Sequence, residues 1–230
     1  MAKILSIETS TKACSVAIHG QGKLIVSQKL FVEKSHSSHL TKMIEAAIKN
    51  ADMTMGDLDA VAISMGPGSY TGLRIGTSTA KGICYALDIP LIAVNTLEAI
   101  AYGVNKYNHH KALLCPMIDA RRMEVFCLVT DSALKVLEKT NAKIIDKNSF
   151  NSFLENNKVL FFGDGAEKCK SIFEENSNAI FIDDVTPSAI DIGHLAATKY
   201  GKKLFEDVAY FEPFYLKDFV AIKSKKTALI

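Results

Sequence analysis

A chain of 230 residues is long enough for one large domain or two small ones with substantial cores, and 48% hydrophobic with 23% charged residues is the balance of an ordinary soluble globular protein. The net charge of +2 is too small to argue, from charge alone, for binding to nucleic acid or an acidic membrane, and with only Arg74, Arg121 and Arg122 as arginines among 27 basic residues a direct, tight grip on nucleic acid is not expected. Residues 4–9 form an apolar run of strand formers, and 13–19 alternate, with Cys14, Val16 and Ile18 on one side. Gly20 and Gly22 mark a turn and 24–27 a third strand, so the chain opens as an antiparallel meander. Ser35 to Ser38 offer N-caps to a helix whose apolar stripe is Leu40, Met43, Ile44, Ala47, Ile48 and Ala51. A short strand at 60–65 runs into Gly66-Pro67-Gly68-Ser69-Tyr70-Thr71-Gly72, and a helix follows over about 71–87. A strand at 91–94 and a helix from Leu97 complete this half.

The polar stretch 107–111 marks a boundary between residues 1–106 and 107–230, and beyond it the order of elements restarts. Strands are expected at 112–118, at 124–130 and within 135–145, then a helix over 147–155 with Phe150, Phe153 and Leu154 inward. A strand at 159–162 enters the turn Gly163-Asp164-Gly165, and a helix follows to about Phe173. Thr186-Pro187-Ser188 starts a last helix running to about Phe205, with Ile190, Leu195 and Ala197 among its apolar positions. Each half thus reads as meander, helix, short strand, glycine turn, helix. A repeat of order without a repeat of sequence predicts two related α/β subdomains, each a mixed sheet flanked by helices, facing one cleft. That is the actin-like ATPase and sugar-kinase architecture, of the RNase H-like class.

Such a fold would place its chemistry at the turns. Glu8, Thr9 and Ser10 stand where a first hairpin presents an acid and small neighbours to metal and phosphate, but Glu and Thr replace the usual Asp and Gly and would crowd a phosphate. Gly66, Gly68 and Ser69 lead into a helix N-terminus and fit either a tight structural turn or an anion site; no Lys-Ser/Thr follows as in a P-loop. Asp119 occupies the corresponding place in the second half, followed by Ala120 and Arg121; pairing of Arg121 with Asp119 or Glu124 is the expected role. In such a fold Gly163 and Gly165 would lie against an adenosine, but the turn is short and Ala166-Glu167 gives no base-reading pattern. In the helix after Gly72, Gly72, Gly76 and Ala80 recur every four residues beside Thr79 and Ile83. A helical Gly costs about 1 kcal/mol relative to Ala, so something must approach closely, either the protein's own first helix and sheet or a partner subunit. His36 and His39 share a helix face without a third metal ligand, and a solvated, capped helix start is expected there.

The cysteines Cys14, Cys84, Cys115, Cys127 and Cys169 form no CxxC motif and lie mostly in apolar runs, so buried reduced thiols are expected, as in a cytosol. Glu8 interrupts any signal-peptide core and no apolar run approaches the ~18 residues of a membrane helix; a soluble, cytoplasmic protein without membrane contact is the expectation. At the C-terminus an apolar anchor over 211–217 precedes a basic tail with Lys223, Lys225 and Lys226.

Four segments in order carry a resemblance. GPGSYTGLRIG at 66–76 resembles the GPGSFTG-x-RIG signature of the TsaB family, and ETSTKACSVAI at 8–18 resembles that family's D-T-S/A-T-x-x-C-S-V-A opening. IDARRMEVF at 118–126 resembles its IDAR-x-x-E-V-Y/F, and PFYLKDFVAIK at 213–223 its P-x-YLR-x-x-V-A-x-K ending. Glu8 and Lys217 are conservative departures from the family's Asp and Arg. The resemblance implies an actin-like, non-catalytic scaffold for the machinery that places threonylcarbamoyl on a tRNA adenosine. It implies a heterodimer with the catalytic subunit TsaD through the first two helices, and a homodimer through the same surface when TsaD is absent. TsaE would join as an ATPase, a TsaC-type synthase would supply the threonylcarbamoyl-adenylate, and tRNA would be met through the complex. Leu40, Met43, Ala47, Gly72, Arg74, Ile75, Gly76, Thr79, Ala80 and Ile83 are thereby assigned to the partner interface or its immediate support. No catalytic residue and no metal ligand is carried over, and ATP, ADP and Mg enter only at the level of the complex. An autonomous actin-like ATPase or sugar kinase is the alternative, and Thr9 and Ala120-Arg121 argue against it. On the scaffold reading, Gly76→Leu is expected to leave the monomer folded and weaken TsaD binding.

Overall fold

The computed structural model describes residues 2–32 and 36–217. Strands β1 (Lys3–Glu8), β2 (Cys14–Gly20) and β3 (Lys23–Leu30) form the opening meander. β1 pairs in parallel with β4 (Ala60–Gly66), in the register Ile4↔Ala60 and Ile7↔Ile63, and β4 pairs in parallel with β5 (Leu91–Asn95). The sheet order is β3-β2-β1-β4-β5. The second sheet repeats this plan with β6 (Leu113–Asp119), β7 (Glu124–Thr130), β8 (Val136–Ile144), β9 (Val159–Phe162) and β10 (Ala179–Ile182), in the order β10-β9-β6-β7-β8. Central strands β1, β4 and β6 are buried nearly throughout, which is why they read as continuous apolar runs.

Helices α1 (His36–Asn50) and α2 (Tyr70–Leu87) cover one face of the first sheet. Leu40, Met43, Ile44, Ala47 and Ile48, spaced by three and four, bury against Leu5, Ile7, Val16, Ile18 and Ile63. α2 starts where the Ser69 hydroxyl accepts the N–H of Gly72 and stops at Asp88, which takes a left-handed conformation. Helix α3 (Thr96–Asn105), capped by the Asn95 side chain, carries Leu97, Ile100 and Ala101 into a core with Leu114, Ile118, Phe126, Leu128 and Phe162 of the second sheet. The far side of that sheet holds Cys115, Cys127, Phe150, Phe161 and Phe173, with the Phe161 and Phe173 rings stacked 5.5 Å apart. Short helices α4 (Asn151–Leu154) and α5 (Lys170–Phe173) complete that layer, and all five cysteines are free and buried.

The division into 1–106 and 107–230 is corrected by the last elements. Helix α6 (Ala189–Gly201) lies on the first sheet, where Ile192 and Ala196 pack on Ile4, Ala60, Ala62, Ile92 and Val94. That apolar face needs a cover, and the chain returns from the second lobe to supply it. The following segment stays with the first lobe: Glu206 bridges to Leu91, Phe211 enters the α1–α2 core, and the N–H of Phe214 reaches the carbonyl of Met65 at 2.7 Å. Leu216 and Lys217 then touch the second lobe, the latter as an ion pair with Glu124.

Other expectations change locally. The helix over 147–155 shrinks to one turn, because the Asp146 carboxylate captures the Asn148 N–H and the Ser149 hydroxyl, and Phe150 follows at φ 64°. The stretch after Gly165 is a 3-10 turn running into α5, not a continuous helix. α6 ends at Gly201, short of Phe205, and its buried positions are Ala189, Ile192, Gly193 and Ala196. Strand β10 is an addition. The basic tail beyond residue 217 and the cap candidate Ser35 lie outside the described residues. Among the described residues no helix is long and apolar enough to cross a membrane.

Candidate functional site

Two equivalent glycine turns mark the same point in each lobe. Gly66 ends β4 with φ 112°, and Gly163 follows β9 with φ 100°, a backbone region open mainly to glycine. A Cβ at Gly66 would lie 2.7 Å from the Phe214 carbonyl oxygen. In the first lobe the turn is pressed onto the β1–β2 loop. The Ser69 N–H reaches the Ser10 carbonyl at 2.6 Å, Gly68 has room only for a hydrogen beside Ser10, and the Thr9 hydroxyl donates to the Gly72 carbonyl at 2.8 Å. The α2 N-terminus therefore rests on residues 9 and 10, and of the two roles open for this turn it fills the structural one. In the second lobe the Gly165 N–H bonds the Met117 carbonyl at 3.1 Å, and Gly163 abuts that same carbonyl. Asp164 Oδ1 accepts the Asp119 N–H at 3.0 Å, so the turn is laced to the end of β6.

Glu8 is fully buried. Its Oε1 accepts the Ser10 N–H at 2.5 Å, while Oε2 has no partner among the described residues. Burial pushes its carboxyl pKa above the ordinary value, against the opposing effects of the Ser10 N–H, the neighbouring Ser10 and Ser64 hydroxyls and the Lys29 charge. Lys29 itself donates to the Thr186 hydroxyl at 2.6 Å, tying β3 to the segment before α6. Glu8 thus serves its own loop and does not face an open phosphate site.

At the second-lobe turn the expected pairing of Arg121 is corrected. Asp119 is held by Lys168 and Glu124 by Lys217, and Arg121 touches Asp119 only through its backbone N–H, at 3.0 Å. The lysines reach these carboxylates from α5's approach and from the C-terminal anchor, which a linear reading of 118–126 does not reveal. His36 is buried, its Nε2 without a partner among the described residues, contrary to the solvated start expected, and His39 contacts the Ser38 hydroxyl at 2.8 Å. Among the described residues no group of three His, Cys, Asp or Glu side chains could hold a metal ion.

The assigned interface residues divide by burial. Leu40, Met43, Ala47, Gly72, Gly76 and Ala80 are buried and face the sheet, and Ile75 is half-buried against the same core, so they can support a docking face but not form it. A Cβ at Gly76 would overlap Thr9 Oγ1, which assigns the small-residue stripe to intramolecular packing and overturns the expectation that Gly76→Leu leaves the monomer folded. Arg74 is exposed, its guanidinium on the Tyr70 hydroxyl at 3.1 Å. Thr79 and Ile83 line an open groove of about 630 Å³ between α1 and α2. Its apolar floor also includes Ile44, Ile48, Met53 and Met55, and Glu45, Lys49 and Asp52 rim it. Met53 and Met55 come from the loop after α1, beyond the helical periodicity that points to the rest.

Two lobes of identical strand order, each with a glycine turn at the same place, define a protein of the actin-like ATPase fold. Residues 25–225 match the family described as "TsaD: tRNA N6-adenosine threonylcarbamoyltransferase". The sequence is 34% identical over 179 residues to the tRNA threonylcarbamoyladenosine biosynthesis protein TsaB of Buchnera aphidicola, covering 76% of this chain and 82% of that protein. It is 28% identical to the TsaB protein of Haemophilus influenzae over 96% of this chain and 95% of that one. In fold it resembles YeaZ from Pseudomonas aeruginosa, with a TM-score of 0.79 at 23% identity over 94% of this chain and 100% of that one. The chain belongs to the TsaD-type family and, among its members, to the TsaB proteins.

Proposed function

We propose that this chain is a non-catalytic subunit of tRNA threonylcarbamoyladenosine biosynthesis, docking through its α1–α2 face on a TsaD-type transferase. The pathway follows from the names of its relatives. The observation that carries the docking role is the apolar groove between α1 and α2, floored by Ile44, Ile48, Met55 and Ile83 and ringed by charge, the make-up of an interface core with a polar rim. The lack of catalysis is supported by the turns. The Ser69 N–H is spent on the Ser10 carbonyl, the Ser10 N–H on Glu8 and the Asp119 N–H on Asp164, donors that a phosphate cradle would need, and Glu8 is sealed inside. On this reading TsaE acts as the ATPase of the assembly, a TsaC-type synthase supplies the activated threonylcarbamoyl group, and tRNA meets the complex as a whole. Without a TsaD-type partner the same face would pair two copies of this chain.

The test is size-exclusion chromatography with light scattering of the chain mixed with TsaD from the same cell. A one-to-one complex is expected. Thr79→Arg, which fills the groove, should weaken it at least tenfold, about 1.4 kcal/mol, while the monomer's melting point holds. No complex with the wild-type chain, or ATP hydrolysis by the chain alone, would sink the reading.

A further inference from the structure

Arg121 and Arg122 are two of the three arginines in the chain, and they sit side by side on the exposed β6–β7 turn. Both have left-handed backbones, with φ 70° and 50°, where side chains other than Asn, Asp and Gly are uncommon. The acids beside them are already neutralised, Asp119 by Lys168 and Glu124 by Lys217. Neither guanidinium has a hydrogen bond, ion pair or ring contact among the described residues. Lys12, exposed on the β1–β2 turn of the other lobe, places a further positive charge near Asp164.

We propose that the Arg121–Arg122 turn is a docking site for the phosphodiester backbone of RNA. A guanidinium fork matches two phosphate oxygens at once, which a lysine's point charge does not, and phosphate contacts position a protein on nucleic acid. Two large apolar side chains are exposed beside the arginines, Met123 and, paired across from Glu124, Ile144, so an acidic protein surface is the competing occupant that the experiment separates from RNA. That the polyanion is RNA rests on the tRNA pathway proposed above; the cationic turn itself does not.

The experiment is fluorescence anisotropy of a labelled, unmodified tRNA transcript, titrated with the full chain alone and with the chain plus its TsaD-type partner, between 50 and 200 mM KCl. The double variant Arg121→Gly/Arg122→Gly removes both forks and suits the positive φ, so it folds. It is expected to bind about tenfold more weakly at the lowest salt, with the log–log salt slope reduced by about 1.4 to 1.8, as two lost phosphate contacts require. The double lysine variant should keep most of the slope and lose part of the affinity. Unchanged affinity and slope in the glycine variant, or no tRNA binding by the wild type in either setting, would overturn the proposal. So would a glycine variant that keeps tRNA but loses the protein partner, which would assign the turn to a protein's acids. Dependence of tRNA binding on the arginine pair without any complex with the TsaD-type protein would sustain this proposal and defeat only the docking role.

Discussion

The Thr9 hydroxyl donates to the Gly72 carbonyl across 2.8 Å and so fastens the β1–β2 turn to the first turn of α2. One helical turn later, a Cβ at Gly76 would run into that same hydroxyl and come within 3.2 Å of the Ile63 side chain. Gly76→Ala should therefore destabilise the protein by about 1–3 kcal/mol through overpacking, even though Ala is the better helix former. Gly76→Leu should not fold. In the Gly76→Ala background, Thr9→Ala should recover at least about 1 kcal/mol, read as a coupling energy by urea denaturation of the four proteins. Simple additivity would show that Thr9 is not what excludes the methyl group.

Gly82, six residues further along α2, gives the opposite sign. It is exposed, and nothing lies within 4 Å of where its Cβ would be. Gly82→Ala should stabilise by up to about 1 kcal/mol, raising the melting point by about 2–4 °C for a chain of this size. A destabilised Gly82→Ala protein would mean that this face is already covered by another molecule or element.

The contrast shows what the sequence reveals. The order of elements is legible because meanders alternate, α1 carries a stripe from Leu40 to Ile48, and Gly66 and Gly163 punctuate the same step in each half. The destination of α6 is not legible. An apolar stripe says that a helix buries a face, but not which sheet it finds, and α6 crosses back to cover Ile4 and Val94. The partners of Asp119 and Glu124 are hidden for the same reason, since Lys168 and Lys217 are distant in sequence. The stripe Gly72–Gly76–Ala80 announces close approach, but only the fold shows that Thr9 and Ile63 are what approaches. Met53 and Met55 fall outside any helical period and join the groove only because the chain turns back under α1.

Glu8 supplies a prediction in pH. Burial raises its folded pKa above the ordinary 4.5, so the neutral acid suits the fold and the carboxylate does not. Stability linked to Glu8 is then fully present below about pH 4.5 and is lost as pH rises through the elevated folded value. Glu8→Gln is neutral throughout and keeps an oxygen for the Ser10 N–H. Its stability relative to wild type should rise as pH climbs above about 4.5 and level off once pH passes the elevated folded value, read in urea titrations between about pH 5 and pH 8. A difference that stays flat over that range would show Glu8 to titrate normally.

His19 should act at the acid end. Its ring is fully buried, stands edge-on to His194 at 4.9 Å between centroids, and fits only because Gly193 has no side chain to collide with it. Burial, and then the charges of His194 and Lys106, lower its pKa to about 4. The unfolded chain takes up a proton near pH 6.5 and the folded one does not until about pH 4. The stability linked to His19 is therefore complete above pH 6.5, falls as pH drops through that window, and levels off below 4, with a loss on the order of 3 kcal/mol. Neither ring nitrogen has a partner among the described residues, so His19→Phe forfeits no hydrogen bond. Chemical denaturation of the two proteins at pH 7 and pH 4.5 should find the variant gaining on the wild type in acid. Parallel losses in both proteins would place the acid sensitivity elsewhere than His19.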